Sequence, residues 1–234
     1  MHKYPVSPSI RERVIRLQGK PFALDRIEAA RSALIVVDMQ NYYMAEGYPN
    51  EAPVARAIVP NVNRLASALR AAGGRVVWIQ TDSREALAKW SNHHKYKLTP
   101  ERAAARVRLL AESDDGFKLY RALEPKPEDL YVRKIKFSAL IGDSSNLDRV
   151  LRDNGIEVLL IAGTKTNVCC ESTARDASMM EYRVAMVSDC NATSTDEEHA
   201  AALNGFQISF GDVMTVDEVL QRLAPAAKRS AAAS

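Results

Sequence analysis

The segment that decides the fold spans residues 163–177 and reads GTKTNVCCESTARDA. It follows an apolar run at residues 158–162 that is typical of a buried parallel strand, and its small residues favour a helix. Cys169 is therefore predicted at a strand-to-helix turn, where the N–H groups and positive dipole end of the helix stabilise a thiolate. An apolar environment would instead raise the pKa of the thiol. This position makes Cys169 a candidate nucleophile.

Six apolar segments alternate with helical patterns along the chain. Strands are predicted at residues 33–38, 75–80, 129–134, 157–162, 183–188 and 212–216. Helices are predicted at residues 54–72, 100–110, 147–153, 168–181, 196–208 and 217–223. Strands that alternate with helices form parallel sheets covered on both faces. We therefore expect a three-layer α/β/α fold with a six-stranded parallel sheet of Rossmann-like type.

This pattern predicts one domain over residues 31–224. Residues 1–30 are polar without a clear core pattern, and we expect them to form an N-terminal arm that packs on the domain or on a partner subunit. Residues 225–234 are of low complexity and are predicted to form a flexible tail. The connection at residues 81–127 is long enough to suggest a functional role.

The composition argues against several classes of protein. The net charge of +3 comes from 32 basic and 29 acidic residues, which is too small and too interspersed an excess for nucleic-acid binding. No apolar run approaches the roughly 20 residues needed to span a bilayer, and the N-terminus lacks a signal-peptide core. Three cysteines without a C-x-x-C pair indicate reduced thiols. We therefore expect a cytoplasmic protein without nucleic-acid or membrane partners.

Three polar side chains are predicted at one edge of the sheet. Asp38 ends the first strand, Lys134 ends the third, and Cys169 follows the fourth. Ligands of open α/β sheets bind beyond the carboxyl ends of the strands. The pattern therefore predicts a functional site where these three residues converge.

The residues around these positions resemble the isochorismatase-like cysteine hydrolases. The resemblance rests on ALIVVDMQN at residues 33–41, on Lys134 shortly before FSA at residues 137–139, and on TNVC followed by EST at residues 166–173. It covers roughly residues 31–222. Around Cys169 the sequence looks most like the ureidoacrylate amidohydrolases and N-carbamoyl hydrolases.

The resemblance implies an Asp–Lys–Cys catalytic triad of Asp38, Lys134 and Cys169. It also implies a cis peptide between Thr164 and Lys165, which family members use to direct backbone N–H groups at an oxyanion. Lys165 and Cys169 would provide those groups here. Lys165 departs from the small or short hydroxyl residue usual at its position, and its side chain could shape the pocket or bind an anionic substrate. The Asp-x-His metal site of nicotinamidases is missing at residues 81–84, so no metal or other cofactor is expected.

Five further residues are candidates for binding substrate. Gln40, Asn41 and Tyr43 follow the first strand, and Trp90 and Asn92 lie in the long connection, which could form a lid. Exposed loop positions without contact to substrate are the alternative for each of them.

The predicted function is a cysteine-dependent amidohydrolase that cleaves a C–N bond of a small amide, ureide or N-carbamoyl compound through a thioester. A homo-oligomer is expected. The alternatives are hydrolysis of another acyl bond, a catalytically silent binding or scaffold protein, and a redox role for the Cys169–Cys170 pair. If Asp38 and Lys134 keep Cys169 as a thiolate, it should alkylate quickly near neutral pH.

Overall fold

The computed structural model describes residues 1–224, which are organised around a parallel sheet. Its strands are β1 Ser32–Val37, β2 Arg75–Thr81, β3 Leu130–Lys134, β4 Val158–Thr164, β5 Arg183–Ala192 and β6 Asp212–Met214. Their order across the sheet is β3-β2-β1-β4-β5-β6, and every neighbouring pair is parallel. The predicted six-stranded parallel sheet is confirmed.

Helices cover both faces of this sheet. The longer ones in the described part of the chain are α1 Pro8–Gln18, α2 Val59–Ala71, α3 Pro100–Leu109, α4 Leu147–Asp153, α5 Glu171–Met179, α6 Asp196–Ser209 and α7 Val216–Arg222. None of the helices in residues 1–224 is both long and apolar enough to cross a membrane. The predicted helices are present, with two changes at their starts: a 3-10 segment, Pro53–Ile58, precedes α2, and a π-helical turn, Thr166–Cys170, precedes α5.

The central strands are buried on both faces because their residues are almost all aliphatic. All six residues of β1 are buried, and so are all seven of β4. Alternate residues of a strand point to opposite faces. Leu34 and Val36 accordingly pack in one apolar cluster, whereas Ile35 and Val37 pack in the other. This double burial explains why these strands appear in the sequence as continuous apolar runs.

The direction of the chain across the sheet reverses between β1 and β4, which creates a crevice at their carboxyl ends. Gly163 permits the close approach of the two strands there, since a Cβ on this residue would lie 2.0 Å from the carbonyl oxygen of Val37. Its φ of +121° also lies in the region that favours glycine. Asp38, the first residue after β1, has a φ of +52°. The backbone therefore turns sharply on both sides of this crevice.

The ends of the described chain pack together on the domain. Ile27–Glu28 pairs in parallel with Leu223–Ala224, and the carboxylate of Asp212 accepts hydrogen bonds from the N–H groups of Ala23 and Leu24. Helix α1 lies against α6 and was not predicted, because Val14 is its one buried residue. The predicted tail at residues 225–234 lies outside the described residues.

Strand β5 is longer than predicted. After an irregularity in its pairing with β4, the ladder resumes at Gly163 and Asn191. The side-chain amide of Asn191 donates hydrogen bonds to the carbonyl oxygens of Ile161 and Val187 and so bridges the interruption. Such polar bridging by a buried side chain is not visible in an apolar pattern, which ended the predicted strand at residue 188.

Candidate active site

The structure brings Asp38, Lys134 and Cys169 together at the carboxyl edge of the sheet. Asp38 follows β1, Lys134 ends β3, and Cys169 lies in the π-helical turn between β4 and α5. Nζ of Lys134 is 2.7 Å from Oδ2 of Asp38 and 3.5 Å from Sγ of Cys169. None of the three residues is more than 4% exposed. They form a buried cluster of an acid, a cation and a thiol.

Thr81 connects the acid and the cation. Its hydroxyl donates a hydrogen bond of 2.9 Å to Oδ1 of Asp38 and accepts one of 2.8 Å from Nζ of Lys134. Nζ of Lys134 also donates to the carbonyl oxygen of Lys136. These bonds fix the ammonium, because each of its three protons has an acceptor nearby. Thr81 was not predicted at the site, and its position at the end of β2 is the signal that could have identified it.

The ammonium of Lys134 stays charged in this setting. Burial opposes its charged form, but the carboxylate of Asp38 and the neighbouring Cys169 outweigh that cost and raise the pKa of Lys134 above its ordinary value. Lys134 therefore acts as a fixed positive charge at neutral pH and does not exchange protons with the thiol.

Cys169 rests as a thiol. Burial raises the pKa of Cys169 to about 12. The nearby Lys134 ammonium lowers this pKa by less than burial raises it, and the Asp38 carboxylate raises it further. This direction runs against the expected thiolate at neutral pH, because desolvation of the thiol exceeds the effect of the nearby cation. A thiol beside a carboxylate requires that its proton be removed as it reacts.

The turn that carries Cys169 begins at a cis peptide bond between Thr164 and Lys165, as the resemblance implies. The N–H groups of Val168 and Cys170 donate to the carbonyl oxygen of Lys165, which closes the turn. The N–H of Lys165 itself donates to no group within residues 1–224. It is therefore free to donate to a bound molecule.

Two side chains from the β5–α6 region brace this turn. His199 is fully buried, and its Nδ1 lies 2.9 Å from the hydroxyl oxygen of Thr166. The hydroxyl of Thr193 donates a 2.6 Å hydrogen bond to Oδ1 of Asn167. These contacts hold the residues between Lys165 and Cys169 in place.

A cavity of about 310 Å³ opens beside the thiol. Its walls are formed by Tyr42, Tyr43, Pro49, Asn50, His93, Lys97, Leu98, Arg102, Arg106, Phe137, Lys165, Val168 and Cys169. The volume lies at the lower end of the roughly 300–1,000 Å³ usual for ligand pockets. The site therefore suits a small molecule.

Of the five residues predicted to bind substrate, Tyr43 lies in this wall, and so does Lys165, whose side chain was also expected near the substrate. Gln40 lies outside it and is fully buried, with its amide bonded to the backbone of Thr81 and Phe117. Asn41 donates to Asp115 at a separate surface depression.

The two predicted residues of the long connection also lie outside the wall. Trp90 stacks on His93 with 4.1 Å between ring centroids and meets the edge of Phe137 at 4.7 Å. Trp90 therefore packs against two residues that line the cavity without lining it itself. Asn92 is exposed at the start of the π-helical turn His93–Lys97.

The cavity wall contains residues that the sequence did not identify. Arg106 on α3 is 6% exposed and donates to the hydroxyl of Tyr43 at 3.2 Å. His93 lies beside it, and burial, reinforced by Arg106, lowers the pKa of His93 to about 4. The length of the connection at residues 81–127 pointed to this region, but no spacing within it singled out Arg106.

Asp82 is engaged by an arginine at the position corresponding to the nicotinamidase metal site. Nη2 of Arg84 lies 2.5 Å from its Oδ2, and the backbone N–H of Arg84 also donates to the carboxylate. These contacts lower the pKa of Asp82 although burial opposes the change. Asp82 thus serves as the partner of Arg84 in this chain.

Comparisons with known proteins identify the family to which this fold belongs. The isochorismatase domain model matches residues 32–218. The chain is 31% identical over 232 residues to the ureidoacrylate amidohydrolase RutB of Pseudomonas savastanoi pv. phaseolicola, covering 93% of each protein. It is 34% identical to RutB of Variovorax paradoxus, over 91% of this chain and 88% of the relative.

Solved structures give the same result. A cysteine hydrolase from Pseudomonas syringae pv. phaseolicola superposes with a TM-score of 0.77 at 29% identity, over 87% of this chain and 97% of that one. The N-carbamoylsarcosine amidase of Thermoplasma acidophilum has a TM-score of 0.62 at 25% identity, over 80% and 97%.

The parallel sheet flanked by helices is the α/β fold of the isochorismatase-like hydrolases. The chain belongs to the isochorismatase family. It is accordingly a hydrolase that acts on the C–N bonds of linear amides.

Proposed function

We propose that this enzyme is a cysteine-dependent amidohydrolase that cleaves a small amide, ureide or N-carbamoyl compound through a thioester on Cys169. The observation that carries the proposal is the contact of Lys134 with both Asp38 and Cys169 at the base of a small cavity. A base, a fixed cation and a nucleophile within reach of one another are the elements that covalent acyl transfer requires.

Acylation begins with the thiol. Asp38 removes the proton of Cys169 as Sγ attacks the substrate carbonyl, so the S–C bond forms while the carbonyl oxygen becomes an anion. The ammonium of Lys134 stabilises the negative charge that passes from carboxylate to sulfur. Because burial raises the pKa of the Cys169 thiol, this proton transfer accompanies the attack and does not precede it.

The oxyanion is held by backbone N–H groups of Lys165 and Cys169. One donor of this kind typically contributes about 3–4 kcal/mol to stabilising the transition state. The braces from His199 and Thr193 keep these donors in place while the carbonyl carbon changes geometry.

The intermediate then collapses. The C–N bond breaks, and Asp38 returns its proton to the departing nitrogen, which leaves as ammonia or an amine. Asp38 next takes a proton from water, the water oxygen attacks the thioester, and the sulfur leaves and regains a proton. The net reaction is hydrolysis of one C–N bond, with the enzyme returned to its starting state.

Ammonia release from a panel of compounds tests this proposal. Ureidoacrylate, other ureides, N-carbamoyl amino acids and simple primary amides would be assayed with the wild type and with Cys169→Ser. We expect release by the wild type on at least one class and a loss of more than about 1,000-fold in the variant, as for removal of a catalytic nucleophile. Silence of the wild type across the panel, or an active Cys169→Ser, would contradict the proposal.

Cys170→Ala provides the matched control. Cys170 is fully buried, and its Sγ faces the carbonyl oxygen of Ala162 at 3.9 Å, away from the cavity wall. We expect this variant to keep its hydrolytic activity. Loss of activity in Cys170→Ala with retention in Cys169→Ser would instead identify Cys170 as the nucleophile.

We also propose a cytoplasmic homo-oligomer. Three buried, unpaired cysteines in the described chain suit a reducing compartment, and the resemblance favours assembly of several copies. Light scattering coupled to size exclusion tests the assembly, where a mass near the 25.9 kDa of one chain would contradict it.

A further inference from the structure

His2, near the start of the chain, contacts both side chains that brace the turn carrying Cys169. Its ring stacks on the ring of His199, with 4.5 Å between the centroids and 23° between the planes. Its Nε2 lies 3.0 Å from the backbone nitrogen of Thr193, whose hydroxyl donates to Asn167 in the turn. A single residue therefore supports the two braces, His199 and Thr193, although both lie near the other end of the sequence.

The side chain of His2 is itself held firmly. It is 2% exposed, and its Nδ1 lies 2.6 Å from Oδ1 of Asp196 in the first turn of α6. Its Nε2 lies 3.2 Å from the carbonyl oxygen of Thr193 as well as close to the N–H of that residue. This nitrogen accepts from the N–H when the ring is neutral and donates to the carbonyl when the ring is protonated. His2 thus keeps its partners in either charge state.

Tyr4 also packs on His199. Its ring meets the His199 ring edge-on, with 5.8 Å between the centroids. Its hydroxyl donates to Oδ1 of Asn204 at 2.9 Å and accepts from Nε2 of Gln207 at 2.8 Å, so this segment is fastened to α6. His2 and Tyr4 together help to exclude water from His199, which is fully buried and whose pKa burial lowers to about 4.

His199 needs this packing, because one hydrogen bond does not fix its ring. Its Nδ1 lies 2.9 Å from the hydroxyl oxygen of Thr166, and its Nε2 has no hydrogen-bond partner within residues 1–224. The χ2 torsion of a histidine is broad, so the rings of His2 and Tyr4 restrain the imidazole. Thr166 directly follows Lys165, whose backbone N–H is a proposed donor to the oxyanion. The position of His2 therefore affects the catalytic turn through His199.

We propose that His2 is a positioning residue: through its contacts with the two braces it keeps the turn that carries Cys169 in the conformation needed for acyl transfer. This inference rests on the proposed function and extends the catalytic apparatus to the N-terminal segment. A small misplacement by a residue far from the chemistry costs up to about 100-fold in rate. Neither His2 nor His199 lines the cavity, and the oxyanion forms only in the transition state. The loss should therefore appear in kcat and not in KM.

Steady-state kinetics test this split on whichever member of the panel the wild type hydrolyses fastest. His2→Ala should lower kcat by about 10- to 100-fold and change KM by less than about twofold. His2→Phe keeps a ring on His199 and should hold kcat within about fivefold of the wild type. Lys3→Ala is the matched control, because Lys3 is exposed on the same segment, and its kcat should be unchanged. An unchanged kcat in His2→Ala, a loss in KM alone, or no recovery in His2→Phe would overturn the inference.

Hydrogen–deuterium exchange read by mass spectrometry gives an answer without turnover. In His2→Ala, peptides that cover residues 163–177 should exchange about tenfold faster than in the wild type, whereas peptides over α4 should be unchanged. Lys3→Ala should leave both regions unchanged. Equal acceleration in both regions would show that His2 stabilises only the fold as a whole, and unchanged exchange at residues 163–177 would show that it does not hold the turn; either result would overturn the inference. A wild type that hydrolyses no member of the panel would contradict the proposed function, and the exchange rates would still decide whether His2 holds the turn.

Discussion

Replacing Lys134 with methionine should destabilise the fold strongly, because it leaves the Asp38 carboxylate buried without its cation. At the observed 2.7 Å the pair attracts by roughly 6 kcal/mol with an effective dielectric constant of about 20. Desolvation of both groups offsets much of this attraction, but removing one partner exposes the penalty of the other. We therefore expect Lys134→Met to lower the free energy of unfolding by about 3–5 kcal/mol.

Urea unfolding at pH 7 measures this loss, with Lys89→Met as the control. Lys89 forms an ion pair with Glu85 at 2.6 Å, nearly the same distance, but both side chains are exposed. Its removal should cost less than about 1 kcal/mol. The double variant Asp38→Asn/Lys134→Met should recover much of the stability lost in Lys134→Met while remaining inactive. A cost for Lys134→Met no larger than that of the control, or no recovery in the double variant, would show that the fold tolerates the Asp38 charge without its cation.

Three other perturbations follow from the same contacts. Burial raises the pKa of Cys169 to about 12 and those of Cys170 and Cys190 well above normal. The wild type should therefore show no thiolate absorbance at about 240 nm near pH 7. A thiolate signal there would contradict the resting state described above. Burial, reinforced by His2, lowers the pKa of His199 to about 4 from an unfolded value near 6.5. As the pH falls, the unfolded chain therefore binds this proton before the folded chain does. The free energy of unfolding should decrease as the pH falls from about 6.5 to about 4. Denaturation at several pH values should show a shallower acid loss for His199→Gln, and identical slopes would argue against this assignment. Gly163→Ala should lower the free energy of unfolding by more than about 3 kcal/mol, because the added Cβ would overlap the backbone at Val37. Gly47→Ala is the control in the same urea assay and should cost about 1 kcal/mol, since Gly47 also has a positive φ but no atom within 4 Å of an added Cβ. Similar costs for the two variants would show that the overlap at Gly163 is relieved.

The sheet could be predicted because its strands are buried on both faces. Continuous aliphatic runs such as residues 33–37 and 158–162 are typical of parallel strands, and the helical spacing between them predicted a sheet covered on both faces. The order of the strands across the sheet was not predicted. Asp38 and Lys134 stand at the ends of such runs, so their meeting with Cys169 follows from the parallel arrangement alone. The lengths of β5 and of the turn before α5 were not predictable, since they depend on the amide of Asn191 and on a π-helical turn.

The cavity wall was less predictable because it depends on contacts between distant segments. Arg106 has the sequence appearance of an ordinary surface arginine on a charged helix, and only its packing against Tyr42 and Tyr43 makes it a buried cation. Gln40 lies two residues after Asp38, yet its amide satisfies buried backbone groups and does not reach the cavity. The raised pKa of Cys169 likewise follows from how completely the fold excludes water from the thiol.

The thioester on Cys169 can be trapped by rapid acid quenching and located by peptide mass spectrometry. Wild-type enzyme would be mixed with succinamate or 3-ureidopropionate and quenched within milliseconds at low pH, where thioesters persist. We expect an acyl adduct on the peptide that contains Cys169, absent in Cys169→Ser and still present on Cys169 in Cys170→Ala. An adduct on Cys170, or ammonia release by Cys169→Ser at the wild-type rate, would contradict covalent catalysis by Cys169.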